Sequence, residues 1–277
     1  MKEISGNRTT SSGKNIYTKT WLPEGTPKSN IILVHGIGEY CERYQHVAEF
    51  LTSIGHAVYG FDHLGHGKSD GKRGCMSYAD GFAIINGLKA ELIAEYPDIP
   101  VIVYGHSMGG GIVLAYGTQY PEQVTGIIAT SPAVGMANPM PPIVIKLMRG
   151  LKKILPNLTI SNGLSADGIS HDKEVVAKYK NDPLVHDKVS VTLGLDLIDW
   201  GNFIAAYDKE YPVPLFIAQG MEDIMVSPQA ADDFALNVKG DITYKCFEHG
   251  YHELHNEPDR QELFDAMAEW LTRVTTE

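Results

Sequence analysis

The apolar run Ile99-Pro-Val-Ile-Val-Tyr104 passes directly into Gly105-His-Ser107-Met-Gly-Gly110 and then into a helix-like run, Ile112-Val-Leu-Ala-Tyr116. Strand, Gly-x-Ser-x-Gly and helix in that order make a nucleophile elbow, a sharp turn that raises the serine hydroxyl above the end of a sheet. Positions 105 and 109 must be small, because the turn brings strand and helix backbones too close for a side chain. A second match, Gly67-Lys-Ser69-Asp-Gly71, also follows a strand-like stretch. It runs on into Lys72-Arg-Gly-Cys-Met76, which lacks helical apolar spacing and reads as a surface loop. Context selects Ser107 over Ser69.

A serine hydroxyl is a weak nucleophile and needs a base, a group to orient that base, and donors for the oxyanion. The order that goes with this elbow is serine, acid, histidine. Val213-Pro-Leu-Phe-Ile-Ala218 reads as a late strand, and Gln219-Gly-Met-Glu-Asp223 as the turn behind it, so the acid is Asp223 in preference to Glu222. Ile242-Thr-Tyr-Lys-Cys-Phe247 reads as the last strand, followed by a loop with three histidines, His249, His252 and His255. His252, in mid-loop, is best placed to reach the elbow. The oxyanion donors are expected from the backbone N–H of Met108 and from the loop Ile37-Gly-Glu-Tyr40, which follows the strand-like Asn30-Ile-Ile-Leu-Val34. Backbone donors suit the task because they are fixed before charge develops.

Strand and helix patterns alternate in the first half: strands near 30–35, 57–61, 100–104 and 124–130, helices near 41–54, near 79–96 and from 107. That alternation predicts parallel strands joined by crossover helices. Asn15-Ile-Tyr-Thr-Lys-Thr-Trp-Leu22 alternates polar and apolar residues and predicts antiparallel strands at the sheet edge. The rhythm breaks at Ser131-Pro132 and resumes at Val213. The intervening stretch is too long for a structureless loop, so residues 132–210 are expected as a helical cap inserted into a core of 1–131 and 211–277. Such a cap would lie over the strand ends, where open α/β sheets bind ligands.

One cap helix is unusual. Val144, Leu147, Met148, Leu151, Ile154 and Leu155 share one helical face, while Lys146, Arg149, Lys152 and Lys153 make it basic. It reads either as an interfacial element facing anionic lipid or membrane or as a cover for the cap core with solvated lysines.

The formal net charge of −11 argues against nucleic acid, whose binding rests on many Lys and Arg contacts to phosphate. Cys41, Cys75 and Cys246 are odd in number and far apart, so no disulfide framework or CxxC pair follows. No HExxH or GxGxxG is present, and Asp62 occupies the position where a phosphate-binding loop ending at Gly67-Lys68-Ser69 needs its first glycine. No metal or cofactor is expected. The opening Met1-Lys-Glu-Ile-Ser-Gly-Asn7 has no apolar leader core, and no run reaches the 18 apolar residues of a spanning helix. The expectation is a cytoplasmic protein, at most peripheral to a membrane.

HGIGEYCERY at 35–44, FDHLGHGKSDG at 61–71, GHSMGG at 105–110, QGMEDIMVSP at 219–228 and HGYHELHNEP at 249–258 occur in the order and spacing of α/β-hydrolases. Together they resemble the monoacylglycerol lipases and lysophospholipases, and SHDKEVVAKYKNDPLV at 170–185 resembles the cap of that family. The likeness runs from about residue 15 to 272. It implies an α/β-hydrolase fold, a mostly parallel central sheet with helices on both faces and an inserted helical cap. It implies a triad of Ser107, Asp223 and His252, with oxyanion donors at Ile37 and Met108. Glu39, Arg43 and His255 match family positions near the glycerol moiety. Ile37 departs from the smaller residue common among relatives and narrows the pocket without changing its N–H. The expected activity is hydrolysis of a monoacylglycerol through an acyl-enzyme, with Met136, Met140, Ile143, Leu147 and Met148 of the cap lining an acyl tunnel. Alternatives are a lysophospholipase, a general carboxylesterase or a non-catalytic binding protein of the same fold.

Overall fold

The computed structural model describes residues 1–10 and 12–276. The chain begins with β1 (Lys2–Thr9), β2 (Asn15–Leu22) and β3 (Asn30–Val34). It continues through α1 (Gln45–Ser53), β4 (Ala57–Phe61), α2 (Tyr78–Glu95), β5 (Val101–His106), α3 (Met108–Gln119) and β6 (Gly126–Thr130). Next come α4 (Pro142–Lys152), β7 (Thr159–Ser161), α5 (Lys173–Asn181), β8 (Lys188–Ser190) and α6 (Val191–Ala205). It closes with β9 (Leu215–Gly220), α7 (Pro228–Asn237), β10 (Ile242–Phe247) and α8 (Gln261–Thr276).

Eight strands form one sheet in the order β1-β2-β4-β3-β5-β6-β9-β10. From β4 onward every neighbouring pair is parallel, while β1–β2 and β2–β4 are antiparallel. The sequence explains why the central strands are covered twice. Ile32 and Val34 of β3 enter one buried cluster with α2 and α3, and Ile31 and Leu33 enter another with α1 and α8. The same alternation holds in β5 and β9, where Val103 and Ile217 face one layer and Tyr104 and Phe216 the other. Continuous apolar runs are what a parallel strand buried on both faces requires. Each such side chain contributes about 1.5–3 kcal/mol.

One expected boundary needs adjustment. The helix read from 41 begins as a 3₁₀ turn, Cys41–Tyr44, before α1. At the other end of the chain, Arg260 and Glu262 close turns onto Glu257 and Asp259 as α8 begins at Gln261.

Between β6 and β9 the chain is not wholly helical. β7 and β8 form a short antiparallel ladder, Thr159↔Ser190 to Ser161↔Lys188. Strands of three residues are too short to show a period of two. α4 packs on α6 through Ile145, Met148 and Leu151 against Val191 and Leu195. This splits the apolar face read from the sequence. Met148 and Leu151 turn inward, whereas Ile143, Leu147 and Ile154 are 63%, 66% and 78% exposed. Arg149 and Lys152 meet Asp199 and Asp196 of α6. Among the described residues, no helix is long and apolar enough to cross a membrane.

Candidate active site

Ser107 joins β5 to α3 with φ 57° and ψ −117°, a left-handed conformation that non-glycine residues rarely adopt. Three backbone hydrogen bonds hold it there. Its N–H donates to the Thr130 carbonyl (3.0 Å), and its carbonyl accepts from Gly111 (2.9 Å) and Ala133 (3.0 Å). A Cβ on Gly105 would run into the Gly109 carbonyl, and one on Gly109 into the carbonyl of Val34. The small residues are therefore a requirement of the turn. Ser69, by contrast, donates to the Asp62 carbonyl (2.7 Å) and accepts from the Tyr17 N–H (2.8 Å), stapling β2 to its loop.

His252 lies buried between the other two partners. Its Nδ1 is 2.6 Å from Asp223 Oδ2, and its Nε2 is 2.8 Å from Ser107 Oγ. The carboxylate on one side assigns the proton to Nδ1, leaving Nε2 to accept from the serine. Asp223 Oδ1 also accepts from the N–H groups of Met225 (2.7 Å) and Val226 (3.1 Å). Burial pushes the Asp223 carboxyl up, but His252 and those two N–H groups outweigh it and hold it below the ordinary value. Burial likewise lowers His252, and Asp223 more than restores it, leaving the imidazole above its ordinary value. Glu222 points outward and meets the exposed His249 at 3.0 Å.

Two cavities meet at Ser107 and Ile37. One, of about 270 Å³, is the more polar of the two and is bordered by Glu39, His106, Tyr179, Asp182 and Glu253. The other, of about 150 Å³, is apolar and bordered by Met108, Met136, Met140, Leu197 and Met225. Met136 and Met140 thus stand where an acyl chain was expected. Ile143 and Leu147 are outside, and Met148 is used in the α4–α6 contact. Met108 is the first residue of α3, where a backbone N–H has no intrahelical acceptor. The neighbouring loop is held by Glu39, whose Oε1 accepts from the Gly36 N–H and the Tyr44 hydroxyl, both at 2.7 Å.

Of the three residues matched to the glycerol end, only Glu39 borders the polar cavity. Arg43 is consumed by buried ion pairs with Glu39 and Glu253, the latter bidentate at 2.7 and 2.8 Å, and Tyr179 lies 4.7 Å over its guanidinium. His255 is stacked on Tyr44 (4.7 Å between ring centres) and meets His106 edge-on at 4.8 Å. Burial keeps it neutral, far below the usual imidazole range. Both therefore sit one layer behind the cavity wall.

Two supporting residues escaped the sequence reading. Ser131, at φ 42°, donates to the His252 carbonyl at 2.6 Å. Its signal was its place at the end of β6, where the rhythm breaks. Glu253 is fully buried, and the Arg43 guanidinium holds its carboxyl well below the usual range despite that burial. A carboxylate adjoining the candidate base was the available clue.

Residues 25–259 match the family model described as serine aminopeptidase, S33. A monoacylglycerol lipase of Mycolicibacterium smegmatis is 34% identical over 266 residues, covering 94% of this chain and 93% of that protein. Monoglyceride lipase of Homo sapiens is 30% identical over 275 residues, covering 95% and 88%. The crystal structure of the Paleococcus ferrophilus monoacylglycerol lipase superposes with a TM-score of 0.86 at 33% identity, covering 94% of this chain and 99% of that one. By that family match and those likenesses over nearly the whole of both chains, the chain belongs to this serine hydrolase family of the α/β-hydrolase fold.

Proposed function

We propose that the chain hydrolyses monoacylglycerols to free fatty acid and glycerol. The observation that carries the reading is the His252 imidazole, hydrogen-bonded to Asp223 and Ser107 where an apolar and a polar cavity join. Ser107 Oγ attacks the ester carbonyl as His252 Nε2 takes its proton, and Asp223 stabilises the imidazolium. The N–H groups of Ile37 and Met108 hold the oxyanion. His252 returns the proton to the leaving glycerol oxygen, then activates a water that releases the acyl group and regenerates Ser107. The apolar cavity takes the chain, with flexible Met side chains fitting varied shapes.

Glu39 accepts from the leaving group in the polar cavity. Arg43 and His255 act from behind, by fixing Glu39, Glu253 and His106. Residues 132–210 serve as the cap. Its α4 and the turn that follows present Ile143, Leu147 and Ile154 outward beside Lys146 and Lys153, a combination suited to the surface of an anionic lipid aggregate. The proposed setting is cytoplasmic, with peripheral contact to membranes.

The test is a release assay on monoacylglycerols, diacylglycerols, lysophospholipids, short p-nitrophenyl esters and an aminoacyl amide. Monoacylglycerol is expected to turn over fastest, and Ser107→Ala to lower kcat on the order of 10⁶. Preferred turnover of a lysophospholipid or of the amide overturns the substrate assignment. Fluorophosphonate labelling of Ser107→Ala at one site overturns the nucleophile.

A further inference from the structure

The oxyanion loop and the base loop follow strands on different sides of the elbow, and beside the direct tie of Arg43 to Glu39 and Glu253 a second connection joins them through the cap. Gly36–Tyr40 comes after β3 and residues 249–257 after β10. Both are fastened to the same short piece of chain, the segment 168–186 built around α5. At its start, the carbonyls of Gly168 and Ile169 accept from the N–H groups of His252 (3.2 Å) and Glu253 (2.7 Å). At its end, Asp182 Oδ2 accepts from the Tyr40 hydroxyl (2.6 Å), and the His186 N–H donates to the Gly38 carbonyl (2.9 Å). Contact at this end is backbone on backbone, since Gly38 lies at φ +74° and a Cβ there would run into the His186 carbonyl.

We propose that the 168–186 segment is a brace that positions the oxyanion loop against the catalytic histidine, and that Tyr40 and Asp182 are positioning residues of the hydrolysis. The proposal rests on the hydrolase reading above. Its physical logic is the stiffness of the connector. α5 is a regular helix of nine residues with Asp172 as its N-cap, about 13 Å of rigid rod at 1.5 Å per residue. Hydrogen bonds before this rod, at Gly168 and Ile169, and after it, at Asp182 and His186, relate the location of one loop to the other. The two loops flank Ile37 and His252, whose separation across Ser107 decides how well an oxyanion is held while its proton is in flight.

A fastening that merely keeps the cap closed predicts something different. Loosening it would open the cavity and raise KM. A brace predicts a fall in kcat with KM unchanged, even for a substrate too small to fill the cavity. Tyr40→Phe removes one oxygen from the fastening and Asp182→Ala removes its acceptor, whereas Asp182→Asn keeps a hydrogen bond, its Oδ1 accepting from the Leu184 N–H while its amide N–H donates to the Tyr40 oxygen.

The assay is steady-state hydrolysis of p-nitrophenyl acetate by the full chain, with rates normalised to the sites titrated by a fluorophosphonate. Inhibition by a trifluoromethyl ketone, whose adduct carries the oxyanion, is measured in parallel. Losing a whole oxyanion donor costs roughly 100- to 1,000-fold. A donor displaced but not lost is expected to cost about tenfold in kcat, with inhibitor affinity falling by a similar factor in Tyr40→Phe and Asp182→Ala. Asp182→Asn is expected to stay within twofold of the unmodified protein. Unchanged kcat and inhibitor affinity in Tyr40→Phe, or a raised KM at constant kcat, overturns the brace. If the unmodified chain neither labels nor turns over the ester, the hydrolase reading falls, and the brace with it.

Discussion

Arg43→Met removes a guanidinium from between two buried carboxylates and keeps most of the apolar stem. The side chains of Glu39 and Glu253 are only 3% and 4% exposed, so water cannot replace the lost cation. Deleting one partner of such a group typically costs about 3–5 kcal/mol, because a buried charge is left uncompensated. For a chain of this size that corresponds to a melting temperature lower by roughly 6–20 °C. The loss also has a pH signature. In the native protein the Glu253 carboxyl is depressed, so its contribution is present above the unfolded carboxylate pKa and is lost as pH falls through the folded one. Without Arg43, burial dominates and raises the folded pKa above the unfolded value, so the variant gains stability as pH falls. The difference between variant and native is therefore largest near pH 8 and narrows towards pH 5. Thermal unfolding followed by circular dichroism at the two pH values measures it. A loss below about 1 kcal/mol at both, or a gap that widens on acidification, refutes the argument.

With His252 as the proposed base, turnover requires its imidazole neutral, and Asp223 keeps that imidazole above the ordinary value, so the acid limb of kcat/KM is expected above about pH 6.5. Asp223→Asn leaves burial as the main influence and should move that limb down while kcat falls on the order of 10⁴; a limb that stays in place refutes the assignment. Lys146→Gln with Lys153→Gln should weaken binding to anionic vesicles by roughly 30-fold at most, at about 1 kcal/mol per cation. Turnover of a soluble ester should be unaffected, and salt-insensitive vesicle binding by the unmodified protein would remove α4 as an electrostatic contact.

The elbow was legible because its constraint is local: strand, turn and helix are contiguous, and Gly105 and Gly109 follow from backbone clearance alone. The outward pairing of Glu222 with His249 shows why position after a strand separates Asp223 and His252 from their neighbours better than residue type does. What stayed hidden depends on contacts across long stretches of chain. Nothing at Tyr40 announces Asp182, and three residues of β7 cannot declare a partner in β8. α4 shows the same limit from the other side. Its spacing announced an apolar face, but Asp196 and Asp199 of α6 decided which part turned inward. Arg43 and His255 matched family positions, yet only packing revealed that Glu253 and His106 stand between them and the cavity.

The joining of two unlike chambers at Ser107 also bears on how products leave. In the proposed reaction, cleavage at the junction leaves the fatty acid on the side bordered by Met136 and Met140 and the polyol on the side bordered by Glu39 and Asp182. Each product then sits in surroundings that match its solubility, and neither occupies the other's chamber. Inhibition by added fatty acid and by added glycerol should accordingly be independent, with both bound at once.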